Sequence, residues 1–498
     1  MKKVTPINQK FTRRDILRLA GVGSSAALLA ACAPPAPAAP AAPVATAAAA
    51  PAESTVAPAA EAEATAVIRQ IGDNDADAVT FWTPGGSAVY CTNFQTISEQ
   101  FTKLNPGITI GTAQCGAGSQ NFLEIFLARV AAGNPPDVSV IWDSPVSLAV
   151  RGALEPLDEL MAGSQYSQIA NWPAGLLSSC QYNGATYGLP VAAGTYAMYY
   201  NAGLFEKKGI PSKREDFPKT LADLRKLSKE FTVWNGDTLE SVGYLPTQPD
   251  MVELNVFSAL NGSQFYDGAL NKFTIDSEQN IELMQFMLDW FVEEYKGDLA
   301  VVTAAGNWGF YPDENLRPPL FQAGKVAMKS DGFWVSGDMY GVDIGPEGQN
   351  WNVAQYPVGP SGTGTKSGYW PNWMVIPKGA KRRDDGFKYI DYMSGKGVEQ
   401  WFKAVPDLPT NKNVSPDLMP DKVTEMRDET FAKDMMSFFR GQLDVATAMW
   451  NSPVQNFAND QITRMKEQVF TRTASPKDAL TEAQTACQAE LDKVLKGA

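Results

Sequence analysis

The clearest periodic signal begins near residue 77, where apolar positions alternate between two spacings. "VTFW" (79–82) is a short apolar run ending in the loop signal "TPGG", which reads as a buried strand followed by a turn. In "TNFQTISEQFTKLNPG", Phe94, Ile97, Phe101 and Leu104 recur at helical spacing, and Pro106-Gly107 stops the run. "ITIGTAQC" (108–115) reads as a second strand. "NFLEIFLARVAAGNPPD" reads as a second helix, with Phe122, Ile125, Phe126 and Val130 inward and Gly133 near its end. "DVSVIWDS" reads as a third strand. Strand and helix alternating in this way predict an α/β sheet with helical crossovers.

The pattern continues with a turn at Asn183-Gly184, a long strand-like run and a helix start in "YNGATYGLPVAAGTYAMYYNAGLFEKKGI". "FPKTLADLRKLSKEFT" and "IELMQFMLDWFVEEY" are amphipathic helices; the Met and aromatic content of the second reads as core. "FQAGKVAMKSDGFWV" predicts a strand ending at Gly332-Phe333-Trp334. Two strands around a Gly-rich loop follow in "WNVAQYPVGPSGTGTKSGYWPNWMVIPKGA", and the last hundred residues are mostly helical in pattern. In open α/β sheets ligands gather outside the carboxyl ends of the strands. Here those ends are Thr83 to Ser87, where Gly85-Gly86 offers backbone N–H groups or serves as a plain turn, and Trp142-Asp143-Ser144.

Residues 1–31 have a different pattern. A basic start (Lys2, Lys3, Lys10, Arg13, Arg14, Arg18) leads into "LRLAGVGSSAALLAA". About fifteen helical residues span roughly 22 Å, short of the ~30 Å hydrocarbon core, so the segment reads as an export signal rather than a permanent span. Arg13-Arg14 resembles a twin-arginine signal, with an ordinary secretory signal as the alternative. "LLAAC" resembles the bacterial lipobox, in which the chain is cut before the cysteine, here Cys32, and its sulfur is lipidated; a cut elsewhere would discard Cys32. The Ala/Pro-rich stretch after it lacks the apolar side chains that offset ordering entropy, so 32–76 is expected to be a disordered tether.

Composition narrows the chemistry. About 430 residues remain after the tether, enough for two domains. The net charge of -13 argues against nucleic acid as a partner. The chain has no histidine, which removes Ser-His and Cys-His catalytic pairs and His-ligated metals. No nucleophile-elbow or phosphate-loop motif is present, and no carboxylate pair stands out as a glycosidase candidate. No cofactor and no metal site are expected. Cys91, Cys115, Cys180 and Cys487 allow three disulfide pairings; Cys91 with Cys115 is favoured because each follows a neighbouring strand, with free buried thiols as the alternative.

Four stretches in order, "AAGNPPDVSVIWDS…GALEPLDEL", "NGATYGLPVAAGTYAMYYNAGLFEKKGI", "FPKTLADL" and "FQAGKVAMKSDGFW", resemble the extracellular solute-binding proteins of ABC importers, closest to the family 1 sugar-binding class, over Val79 to Leu495. The resemblance implies a two-lobed α/β fold of the periplasmic-binding type, with hinge crossings at Val191–Ala197 and Gly368–Ile376. Lobe one would be 77–192 plus about 374–410, and lobe two 196–370 plus about 411–498. It also implies a monomeric receptor, not an enzyme, that closes on a carbohydrate and delivers it to permease subunits while lipid-anchored outside the cytoplasmic membrane. Trp334 resembles a sugar-stacking position, and so does Trp450. Gly86, Ser87, Trp142, Asp143, Ser144, Tyr196, Trp308, Trp370 and Trp373 complete the expected cleft. Gly194 falls where maltose-binding members carry an acidic contact, so maltose itself is not implied. Two alternatives are the same fold binding a glycerol phosphate ester or polyamine, and a secreted glycosidase.

Overall fold

The computed structural model describes residues 69–85, 88–116, 122–304, 308–309, 319–336, 350–421, 429–447 and 451–497. The signal segment, Cys32, Gly86, Ser87 and Trp450 lie outside these described residues.

The main sheet begins with the parallel strands β1 (Arg69–Gln70), β2 (Phe81–Thr83), β3 (Gln114–Cys115) and β4 (Val138–Ile141). Helices α1 (Ala88–Leu104) and α2 (Phe122–Ala131) cross between them, and α3 (Pro145–Val150) follows β4. Neighbouring residues go to opposite faces: Phe81, Val138 and Val140 join one buried cluster, Trp82 and Ile141 another. Both faces of this half-sheet are therefore covered, as expected for parallel strands. Phe94, Ile97 and Phe101 of α1 fill the first face, together with Phe387 and Ile390 of α7 (Arg383–Tyr392) and Trp401 of α8 (Val398–Ala404). Phe122 and Phe126 of α2 fill the second.

Two expected core positions turn outward. Leu104 is the last residue of α1 and is exposed. Ile125 is exposed because Phe122 and Phe126, four apart, define the buried stripe of α2. The second strand is also shorter than "ITIGTAQC" suggests. Ile110 makes only an isolated bridge to Val79, and Gly111 runs so close beneath Asp75 that a Cβ there would stand 2.0 Å from its carboxylate.

Strand β5 (Leu189–Asn201) organises the rest. All thirteen residues are buried. Its first half pairs with β8 (Tyr369–Val375) and with β9 (Leu408–Pro409). Its second half pairs with β6 (Met328–Gly332) and β7 (Trp351–Ala354). Strand β8 in turn pairs with β4, so one sheet runs from the parallel half through β5 into the second lobe. Lobe two is mainly helical around its end of the strand: α4 (Leu221–Lys229), α5 (Met251–Leu260), α6 (Glu278–Tyr295), α9 (Glu429–Val445), α10 (Gln455–Phe470) and α11 (Pro476–Gly497). Met284, Met287, Trp290 and Phe291 of α6 are core, as their pattern predicts.

Cys91 and Cys115 are joined in a disulfide with Cα atoms 6.3 Å apart, although Cys91 lies in the first turn of α1 rather than at a strand end. Cys180 and Cys487 are free and buried. Among the described residues no helix is long and apolar enough to cross a membrane, and no group of three carboxylate or thiol side chains is placed to hold a metal.

Candidate functional site

Strand β5 runs from the half of the sheet that holds the parallel strands, called lobe one, into the half that holds β6 and β7, called lobe two, and β8 crosses beside its first half. Antiparallel register sets Trp370 opposite Gly194 and Asn372 opposite Ala192, so these side chains share one face of the ladder. The other face is core. Thr195 there donates its hydroxyl to the Phe439 carbonyl of α9 at 3.0 Å.

On the lobe-one side the shared face carries a polar network centred on Asn372. Its Oδ1 accepts from the Tyr90 hydroxyl at 2.8 Å and from Trp142 Nε1 at 2.9 Å. Its Nδ2 donates to Asp407 Oδ2 at 2.8 Å. The amide can be oriented only this way, because an indole N–H is a donor alone and a carboxylate an acceptor alone. Each partner comes from a different element. Tyr90 sits in the first turn of α1 beside the disulfide, Trp142 follows β4, and Asp407 immediately precedes β9. The Tyr90 ring meets the Trp142 ring edge-on, centroids 5.8 Å apart. Burial, and then the charge of Asp407, hold the Tyr90 phenol neutral far above its usual range.

On the lobe-two side the shared face is filled by Trp334, which follows β6. A Cβ on Gly194 would stand 2.1 Å from its ring, and one on Gly332 2.2 Å. Two glycines on paired strands thus form a slot in which the indole lies against bare backbone. The Tyr196 ring meets it edge-on at 5.3 Å. Trp142 and Trp334 are both half-buried and pack on different hydrophobic clusters, one on each side of the crossing.

The other expected site residues divide. Trp370 is half-buried on the shared face, opposite Gly194. Asp143 is half-buried, and its carboxyl is pushed up to about 6 by burial, with Asn456 of α10 and the charge of Arg151 pulling the other way. Ser144 is buried and caps the start of α3 without a side-chain bond to the helix. Three expectations need correction. Trp373 is fully buried and bonds Ser179 Oγ at 3.1 Å, because alternation turns it to the core face next to Asn372. Trp308 is buried, and its Nε1 donates to the Val302 carbonyl at 2.6 Å. Tyr196 stands behind Trp334; its hydroxyl donates to Asp250 Oδ2 at 3.0 Å, inside lobe two.

That last bond leads to an acidic pair that the sequence reading missed, the exposed Asp250 and the buried Glu253. Asp250 caps α5 by accepting from Glu253 N at 2.8 Å, while Glu253 Oε2 accepts from Asp250 N at 2.6 Å. Burial, and then the neighbouring Asp250 charge, push the Glu253 carboxyl up to about 8. Lys466 of α10 donates to the Pro249 carbonyl beside them, and burial lowers its pKa. The "DMVE" capping pattern was available in the sequence. Asn372 sat inside the quoted "YWPNW" but was passed over for its tryptophans. Nothing in the sequence pointed to Tyr90 or Asp407. A groove of about 480 Å³ lies away from the crossing, along β7; its Arg214 is already engaged by Asp434, Asn352 and the Val353 carbonyl.

Residues 96–431 match the model of the bacterial extracellular solute-binding protein family. A binding protein of Brucella abortus is 26% identical over 331 residues, 64% of this chain and 72% of the relative. A maltooligosaccharide ABC transporter solute-binding lipoprotein of Streptococcus pneumoniae is 24% identical, covering 71% of this chain and 75% of the relative. A protein solved with mannotriose bound superposes with a TM-score of 0.68 at 20% identity, over 82% of this chain and 99% of that one. The family match spans more than half of the chain and includes the whole of the long strand β5 and its crossing with β8, so this chain belongs to the bacterial extracellular solute-binding proteins, with their two-lobed α/β fold.

Proposed function

We propose that this protein captures a carbohydrate between its lobes and delivers it to the permease of an ABC importer, without catalysis. The observation that carries the reading is the pair of half-buried indoles, Trp142 and Trp334, flanking a hydrogen-bonded carboxylate and amide at the crossing. Sugars present apolar C–H faces rimmed by hydroxyls. Aromatic rings match the faces, while Asp and Asn match the hydroxyls. The sugars named for the pneumococcal relative and for the mannotriose-bound structure support the same ligand class.

Lobe one is taken as 77–192 with 374–410 and lobe two as 196–370 with 411–498; hinge bending at β5 and β8 would close the lobes on the ligand. Cys32 would carry a lipid and the stretch after it would tether the monomeric receptor outside the membrane, raising its concentration beside its transporter; the expected tether ends before residue 69 rather than at 76, because Arg69–Gln70 pairs with β3 and Asp75 is bonded to Arg69 and Thr80. The lipoprotein name of the pneumococcal relative supports this anchor. Mass spectrometry of the mature N-terminus tests it: a start anywhere but a lipidated Cys32 removes it.

Calorimetry with mono- and oligosaccharides tests the ligand class. Silence across the panel rejects the sugar reading while leaving the family intact. Asp143 and Asp407 near the crossing disfavour a phosphate ester and would suit a polyamine, so spermidine belongs in the same panel. Release of shortened sugars during incubation would instead indicate a glycosidase.

A further inference from the structure

The Cys91–Cys115 disulfide joins two segments whose backbone support is otherwise thin. Strand β3 is two residues long, and β1 and β2 each pair with it over those two residues alone. Cys115 is its last residue. Beyond it Gly116 donates its N–H to the Thr83 carbonyl at 2.9 Å and runs so close to the end of β2 that a Cβ there would stand 2.6 Å from the Pro84 carbonyl oxygen. Cys91 lies in the first turn of α1, which has no acidic side chain to favour the helix start. The bond therefore ties the carboxyl end of β3 to the start of α1, at the edge of such a sheet where ligands gather.

The residue before Cys91 is Tyr90. Its hydroxyl donates to Asn372 Oδ1, and the same oxygen accepts from Trp142 Nε1. The Tyr90 ring packs against Trp401, Phe94 and Trp142, with centroids 4.5, 5.1 and 5.8 Å away. Edge-to-face packing tolerates small shifts of a ring, whereas a hydrogen bond weakens steeply with them. The reach of the hydroxyl is set by where the Tyr90 Cα stands, and that is set by the turn the disulfide holds.

We propose that the Cys91–Cys115 disulfide is a positioning element for the half-buried Trp142 indole. It holds the first turn of α1 so that Tyr90 keeps its bond to Asn372, and Asn372 in turn keeps the indole at one angle. A chain without the disulfide thus binds its ligand more weakly even while folded. The positioning stands on the geometry; the effect on affinity rests on the carbohydrate reading above.

The test compares the wild type, the double variant Cys91→Ala, Cys115→Ala, the single variant Tyr90→Phe and the triple variant, each held well below its unfolding temperature. Solvent exchange of the Trp142 indole N–H needs no ligand; it is followed by NMR with isotope-labelled tryptophan and assigned by its loss in Trp142→Phe. It should quicken about 5- to 10-fold in the double variant and in Tyr90→Phe, in line with losing the support of one buried hydrogen bond, and no further in the triple variant. Calorimetry with maltotriose and mannotriose should follow the same pattern, with an affinity loss of about 3- to 10-fold in either variant and no more in the triple. Unchanged exchange in the double variant, or effects that add in the triple variant, overturns the proposal. Quickened exchange with unchanged affinity overturns the role in binding. Should the double variant not fold, Tyr90→Phe decides with its disulfide intact: quickened exchange supports the route and unchanged exchange overturns it. If the wild type binds neither sugar, the carbohydrate reading fails for these ligands, and the indole exchange still judges the positioning.

Discussion

The two ends of the crossing carry two polar groups built on opposite principles. In lobe one the hub is an amide. Asn372 accepts from Tyr90 and Trp142 and donates to Asp407, and none of these bonds depends on the hub's own protonation. In lobe two the hub is a pair of carboxylates, the exposed Asp250 and the buried Glu253, and burial of Glu253, followed by the Asp250 charge, pushes its carboxyl up to about 8. The amide hub serves groups on the ladder face, where fixed orientation matters. The carboxylate hub sits behind Trp334 and braces Tyr196 from within. A group that must present a constant hydrogen-bonding face is better built on an amide, and a brace behind the ladder face tolerates a titrating acid.

Breaking the amide hub should have the largest effect. Asn372→Leu removes the shared partner of the Tyr90 hydroxyl, the Trp142 N–H and the Asp407 carboxylate, and should cost about 3 kcal/mol in denaturant unfolding. Reduction of the Cys91–Cys115 disulfide, which ties the turn carrying Tyr90 to the end of β3, should cost about 3 kcal/mol for a loop of this length; it should leave the Asp250–Glu253 pair untouched. Gly194→Val forces a side chain into the Trp334 slot. A destabilisation of roughly 1–3 kcal/mol is expected, with a shift in tryptophan emission as the indole is displaced.

A slope rather than a single loss sharpens the contrast through pH. Unfolded, Glu253 titrates near the ordinary glutamate value; folded, it titrates near 8. Between those values the folded state binds the extra proton, so Glu253 makes stability fall as pH rises across the window, by at most about 1.4 kcal/mol per pH unit. Asp143, raised to about 6, adds a slope of the same sign at the acid end of that range. Glu253→Gln should flatten the profile above pH 6, read from unfolding at pH 6 and pH 8. An unchanged slope would mean that Glu253 ionises normally in the fold.

Local pattern reached a definite depth in this chain. Helix α1 was legible because Phe94, Ile97 and Phe101 keep one stripe, and β5 because the small, aromatic and apolar residues after the Asn183-Gly184 turn read as a strand. The same local logic failed wherever two distant segments decide the outcome. Trp370 and Trp373 read alike in "YWPNW", yet strand alternation leaves the first on the ladder face and sends the second to Ser179 in the core. Trp308 looked like a spare ring and is core.

Sequence by itself determined the alternating α/β elements, the buried hinge strand and the aromatic and acidic inventory, because these depend on the spacing of side chains along a few turns or strand residues. Tertiary structure alone decided that Tyr90, Trp142, Asn372 and Asp407 converge. Their separations along the chain, 282 residues between Tyr90 and Asn372 and 35 between Asn372 and Asp407, exceed anything a local period can encode. It also decided the meaning of Gly194. Along the chain that position lacks an acidic side chain. In the fold it is the opening through which a carboxylate from β9 and an indole from lobe two reach the same place.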